Sequence, residues 1–215
     1  GRNSRSEDYR QAYSFATRAT EIDVNNRRAQ LIYAKALVGI QGVEVGVNYL
    51  VRLVTNFPLV IDYRIALGEV YLEDEQYSEA GRVFREIIQL DDQQQEAYIN
   101  LGKVLRYQGS LSGALDVLMD GAVIDPANPE PLFEAGLLFL KVGKPKDAII
   151  QFQRVLRINQ KYPRVNYYLG KAALMSGDPE KALNFAERER SMNPKLADAY
   201  LLAAEAYTAM KRYSL

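Results

Sequence analysis

The sequence predicts an all-α chain: a right-handed α-solenoid, a superhelix of stacked antiparallel helix pairs. Three observations predict it. The first is a period of 34 residues. In blocks starting at residues 27, 61, 95, 129, 163 and 197, the same residue types fall in the same columns. A fixed period of this length marks units that bury an apolar face only by stacking on their neighbours. The second is a pair of small-residue columns: Ala34, Gly68, Gly102, Gly136, Gly170 and Ala204 in column eight, and Gly46, Ala80, Ala114, Ala148 and Ala182 in column twenty. Glycine inside a helix is costly unless a close approach requires it, so these columns point to tightly crossing helices. The third is punctuation. Gly109, Gly143 and Gly177 stand in column fifteen, where a helix ends in a left-handed residue. Pro58, Pro126 and Pro194 stand in column thirty-two, where one unit stops and the next begins.

The elements follow in order. Residues 1–6 are polar and read as a tail or cloning remnant. One array is expected over 7–215. It opens with the second helix of a partial repeat at 7–26, with Ala12 in the small column and Asn25-Asn26 in the turn. Full repeats follow at 27–60, 61–94, 95–128, 129–162 and 163–196. Their first helices are expected at 27–40, 61–74, 95–108, 129–142 and 163–176, and their second helices at 43–55, 77–90, 111–124, 145–158 and 179–191. Apolar spacing within each is helical, as in Ala148, Ile149, Phe152, Val155 and Leu156. Residues 197–215 supply the first helix of a further repeat, at 197–210, and Lys211-Arg212-Tyr213 enters the turn beyond it.

Two blocks depart from the pattern. Block 27–60 has Gln41 and Gly46 in place of the usual Gly and Ala. Block 163–196 has Glu189 and Arg190 where an apolar pair is expected, so its second helix is predicted to pack less well or to present a charged edge. Helix 197–210 is apolar over much of its surface, whereas the terminal repeats of a finished array turn a polar face outward. The chain therefore reads as a middle slice of a longer protein, and homo-oligomer formation through residues 197–215 is an expected alternative use of that end.

Composition narrows the function classes. Lys plus Arg equals Asp plus Glu, 27 of each, so no net field favours nucleic acid or an anionic membrane. The apolar runs are too short to span a bilayer, so no membrane insertion is expected. There is no histidine, which removes the commonest general base, and no cysteine, which removes disulfides and thiolate metal sites. Gly143-Lys144 lacks the upstream glycine of a phosphate loop. The acidic runs Glu73-Asp74-Glu75 and Asp91-Asp92 lie at turns without the spacing of a calcium loop. No catalytic residue, cofactor site or metal site is expected. The densest basic stretch is Arg154, Arg157, Lys161 and Arg164, read as a solvated edge able to meet a phosphate or an acidic partner.

The column pattern resembles the tetratricopeptide repeat family. It is clearest over 95–128, in Tyr98, Leu101, Gly102, Gly109, Ala114, Leu118, Ala122 and Pro126. The resemblance implies a non-catalytic protein-binding scaffold whose first helices line a concave groove, with a lean toward bacterial pilus, motility or secretion assembly. The alternative is a regulatory or targeting arm of a larger enzyme or sensor. Members that hold the acidic C-termini of the Hsp70 and Hsp90 chaperones need Lys and Asn, then Asn, then Lys and Arg, at fixed columns of three repeats. Here Asn100 fits, but Ile65 and Glu69 precede it and Glu130 and Glu134 follow, so no such carboxylate clamp is expected.

In that register columns two, five, nine and twelve face the groove. Column five is apolar throughout, including Ile65, Ile99, Phe133 and Tyr167. Column nine supplies Lys35, Glu69, Lys103 and Lys171 around Leu137. Column twelve adds Leu140 and Leu174, broken by Arg106. These twelve residues are the predicted partner site, an apolar stripe flanked by charge of both signs. Replacing Phe133 and Tyr167 with alanine is expected to weaken partner binding far more than folding.

Overall fold

The structure is a computed structural model, and it describes residues 2–210. The turn expected at 211–213 lies outside the described residues. Among those described there are twelve helices and no strand: α1 (Arg2–Ile22), α2 (Arg27–Gln41), α3 (Val43–Asn56), α4 (Ile61–Glu73), α5 (Tyr77–Leu90), α6 (Gln95–Tyr107), α7 (Leu111–Ile124), α8 (Glu130–Lys141), α9 (Pro145–Ile158), α10 (Val165–Met175), α11 (Pro179–Met192) and α12 (Ala197–Ala209). The expected boundaries hold to within two residues for the paired helices. The larger difference is at the start, where α1 takes in residues 2–6, read from the sequence as a tail. α10 begins two residues late because Pro163 and Arg164 form a turn, with Arg164 in the left-handed region at φ 61°.

The turns explain the boundaries. Gly109, Gly143 and Gly177 have φ of 81°, 72° and 78°, the left-handed geometry expected of column fifteen. In block 61–94 that column holds Glu75, which adopts φ 59° despite its side chain. In block 27–60 it holds Gln41, and the turn moves one residue on to Gly42. A further column went unread in the sequence. Asp91, Asp125 and Asn159 each accept, through Oδ1, the backbone N–H two residues on, at 3.0, 3.0 and 2.9 Å. These Asx turns close the inter-repeat links, and the same contact recurs at Asp23.

The chain divides into two compact units, up to Val104 and from Leu105 on. In the first, α1 to α5 pack each against the next. Its core takes Ala34 and Leu37 from α2, Leu50 and Leu53 from α3, Tyr63 and Leu67 from α4, and Phe84 and Ile87 from α5. A Cβ on Gly68 would stand 2.7 Å from the Phe84 ring, and one on Gly46 would stand 3.3 Å from the Ala34 carbonyl oxygen. Small residues in columns eight and twenty therefore make room for the Phe84 ring and for a backbone crossing.

In the second unit α7 to α12 also pack each against the next, and α10 additionally touches α8 and α12. One core cluster joins Ala122, Leu132, Ala148, Phe152, Val155, Val165, Leu169 and Ala172. Two smaller ones join Ala173, Ala182 and Ala206, and Ala186, Leu202 and Ala203. The expectation of a charged edge at 189–190 is half corrected. Arg190 is exposed and reaches over the Tyr200 ring, but Glu189 is fully buried, on the face that also buries Ala182 and Ala186. Asn193 Nδ2 donates to Glu189 Oε1 at 2.6 Å, while Oε2 meets no donor among the described residues. A buried acceptor without a partner is costly, so Glu189→Met should raise stability by about 1 kcal/mol. A urea denaturation series that finds the variant less stable than the native chain sinks this expectation.

Candidate functional site

The site is best formed in the first unit, where it is built by the repeat itself. Residues 28, 31, 32 and 35 lie on one face of α2 at helical spacing. Residues 62, 65, 66 and 69 are the same columns one repeat on, in α4. Together with Glu96 of α6 they line a hollow of about 310 Å³. Its floor is apolar: Leu31 and Ile32 from one helix, Ile65 and Ala66 from the next. Its walls carry opposite charges. Arg28 and Lys35 stand on α2, and Asp62, Glu69 and Glu96 stand on α4 and α6. Asp62 lies 3.8 Å from Arg27.

Glu69 is the half-buried charge of this hollow. Desolvation holds its carboxyl above the usual glutamate range, reinforced by Glu96 and Glu73 and opposed by Lys35 and Lys103. Because the folded-state pKa is raised, protonation favours the folded chain. That contribution is present below the unfolded-state pKa and is lost as pH rises through the folded one. Glu69→Gln should therefore be more stable than the native chain at neutral pH, by less than about 1 kcal/mol given the partial exposure. The gap should close below about pH 4. Chemical melts at the two pH values check this, and a gap that widens on acidification contradicts it.

Of the residues predicted from the sequence, Lys35, Ile65 and Glu69 meet in this hollow, and Lys103 lies close enough to act on Glu69. Ile99 does not line it and is corrected: it is 4% exposed and belongs to the core. Helical direction alone placed it in the groove, but column five is covered at this repeat. Arg28, Asp62 and Glu96 stand in column two, which the sequence turns toward the groove although these residues were not singled out. Ile32 and Ala66 stand in column six, which was missed; it lies between columns five and nine on the same face, and that spacing was the available signal.

The remaining predicted residues lie in the second unit. Arg106 stacks over the Tyr107 ring at 4.8 Å and lies 3.6 Å from the Glu134 carboxylate. Both side chains are largely covered, so this charge is spent inside the fold. Phe133, Leu137 and Leu140 are partly buried against the core of α8, α9 and α10. The Phe133 ring is within 6 Å of three others: Phe152 at 5.8, Tyr162 at 5.0 and Tyr168 at 5.5 Å. Burial, with Glu130 and Glu134 nearby, pushes the Tyr162 hydroxyl up to about 12. Tyr167 is half-buried, with Arg164 and Lys171 over its ring at 5.2 and 5.8 Å. Leu174 packs on both of the smaller core clusters. Among the described residues no three carboxylates converge to hold a metal ion, and no helix is long and apolar enough to cross a membrane.

Comparison with known proteins places the repeat in context. A family model described as "Tetratricopeptide repeat" matches residues 65–129 and 133–197, more than half of the chain. Anaphase-promoting complex subunit 3 of Schizosaccharomyces pombe is 22% identical over 148 residues, covering 69% of this chain and 22% of that protein. The chain spans about a fifth of the length of the curated relatives it matches. Among solved structures, pilF of Pseudomonas aeruginosa superposes with a TM-score of 0.72 at 19% identity, covering 86% of this chain and 84% of that one. YrrB, described as a TPR protein with an unusual peptide-binding site, superposes with a TM-score of 0.63 at 20% identity, covering 90% and 97%. At these identities the structural likeness is one of fold.

Proposed function

Because the chain belongs to the tetratricopeptide repeat family, whose fold supports protein–protein interaction scaffolds, we propose that it seats a segment of a partner protein in the hollow over α2, α4 and α6. One observation carries this reading: the same columns of successive first helices meet at an open, apolar-floored hollow with charged walls. An apolar floor takes a side chain, and oppositely charged walls fix its direction and register. The size suits one or two side chains of an extended or helical segment rather than a whole small domain. The likeness to YrrB supports a peptide ligand in kind, and the likeness to pilF carries no process across.

The test inverts the walls without changing what lies beneath them. Lys35→Glu combined with Glu69→Lys keeps the two charges opposite and leaves the apolar floor intact. The doubly swapped chain should melt at the native temperature. Its affinity for the native partner, recovered by crosslinking from a photoreactive residue at position 32, should fall about tenfold or more. Native affinity in the swapped chain, with crosslinks unchanged, removes this hollow as the site.

A further inference from the structure

The basic stretch noted in the sequence is not absorbed by the groove. It leads to the other notable surface of the molecule, the loop edge of the second unit. There the link 159–164 lies beside the link 193–196, and three adjoining hollows share Met192. The one that reaches Leu196 holds about 520 Å³. Its floor is Met192, Pro163 and Leu196. Lys161, Lys195 and Arg188 stand around the three openings, and no carboxylate lines any of them. This differs from the first-unit hollow, where both signs occur.

Two further features mark the place. Asn166, 4% exposed, lines the hollow nearest α9, and its amide donates to the Met192 sulfur at 3.4 Å, a weak acceptor. It is a nearly buried polar group whose donor has only a poor partner. Arg164 forms a wall rather than a free charge: Nη2 donates to Asp198 Oδ2 at 2.6 Å, and the guanidinium faces the Tyr167 and Tyr168 rings. That pairing fixes the link, and the cationic character of the edge is left to Lys161, Lys195 and Arg188.

We propose that this edge is a second binding site that takes an acidic segment of another protein. One apolar side chain sits on Met192, Pro163 and Leu196, flanking carboxylates meet Lys161, Lys195 and Arg188, and a backbone carbonyl accepts from Asn166. Charge complementarity selects the occupant, since a basic segment meets only like charge here. The apolar floor separates it from a plain anion site. The absence of any aromatic ring from the lining separates it from a nucleic-acid site, where bases stack on rings.

The test titrates the full chain with a synthetic peptide that carries one leucine among aspartates and glutamates. It is run beside the same peptide with serine for leucine, the same peptide with lysines for the acids, inorganic phosphate, and a single-stranded oligonucleotide. Binding is followed by calorimetry and by the NMR signals of the Met192 methyl and the Asn166 amide. The acidic leucine peptide should bind and move both signals, the serine version should bind about tenfold more weakly, and the lysine version should not bind. Lys161→Glu with Lys195→Glu should cost about tenfold or more in affinity with an unchanged melt, because both side chains are exposed. The milder Lys161→Gln with Lys195→Gln should fall between, and higher salt should weaken binding. The proposal is overturned if the Met192 methyl does not move or the charge reversal leaves affinity unchanged. It is equally overturned if phosphate reproduces the shifts with leucine dispensable, or if the oligonucleotide binds as well as the peptide.

Discussion

Phe152→Ala should cost about 3–5 kcal/mol of stability, the largest single-residue effect expected in the second unit. The ring is fully buried and lies against two other helices at once. Phe133 on α8 approaches it at 5.8 Å, Tyr168 on α10 stacks on it at 5.9 Å, and Gly136 on α8 presents bare backbone to it. A Cβ on Gly136 would stand 2.4 Å from the ring, so the glycine and the phenylalanine occupy one volume between them. Removing the ring leaves a cavity that helix pairs held on both sides close poorly. The geometry also predicts a coupling. Gly136→Ala should destabilise the native chain and cost much less in the Phe152→Ala background, where the space is vacant. Urea denaturation of the four members of this cycle checks both points. Additive costs would mean that the contact does not set the small residue at column eight.

That pairing was partly legible in the sequence. Column eight reads as small in the sequence, and the structure shows what fills the space: the ring of Phe84 beside Gly68 and that of Phe152 beside Gly136. The helix ends were legible because glycine in a left-handed turn is a local requirement, visible without knowing the neighbours. Glu75 shows the limit of that signal: the turn is kept although the residue that favours it is absent. The site was less legible. Helical spacing gives the direction of a side chain from its own axis, which is enough to put Lys35, Ile65 and Glu69 on one face, where they line one hollow. It does not give what the next helix covers, so Ile99 was placed in the groove although it is buried, and Arg106 was given to a partner although Glu134 lies 3.6 Å away. Glu189 is the sharpest case. A charged residue in a core column reads as an exposed edge, yet the fold buries it with one oxygen bonded to Asn193.

Phe133→Ala should cost about 2–3 kcal/mol of stability, and this reverses what its column suggested. As a groove anchor the ring would stand clear of the fold, and its loss would weaken a partner alone. Instead it touches Phe152, Tyr162 and Tyr168 and packs against the main core cluster. Ring pairs of this kind add to area burial, and a partly covered phenylalanine falls below the cost of a fully buried one. Tyr167 gives the comparison. It packs on the small cluster of Ala186, Leu202 and Ala203, and its ring neighbours are Tyr168 and the cations Arg164 and Lys171, so Tyr167→Ala should cost less than Phe133→Ala, whose ring meets three others and the main cluster. The measurement is a melt and a partner titration on each variant, with affinity corrected to the folded fraction. For Phe133→Ala the corrected affinity should stay near native, because its loss acts through folding. A corrected affinity that collapses while the melt is unchanged would return Phe133 to the binding surface and sever it from the core that its three ring contacts describe.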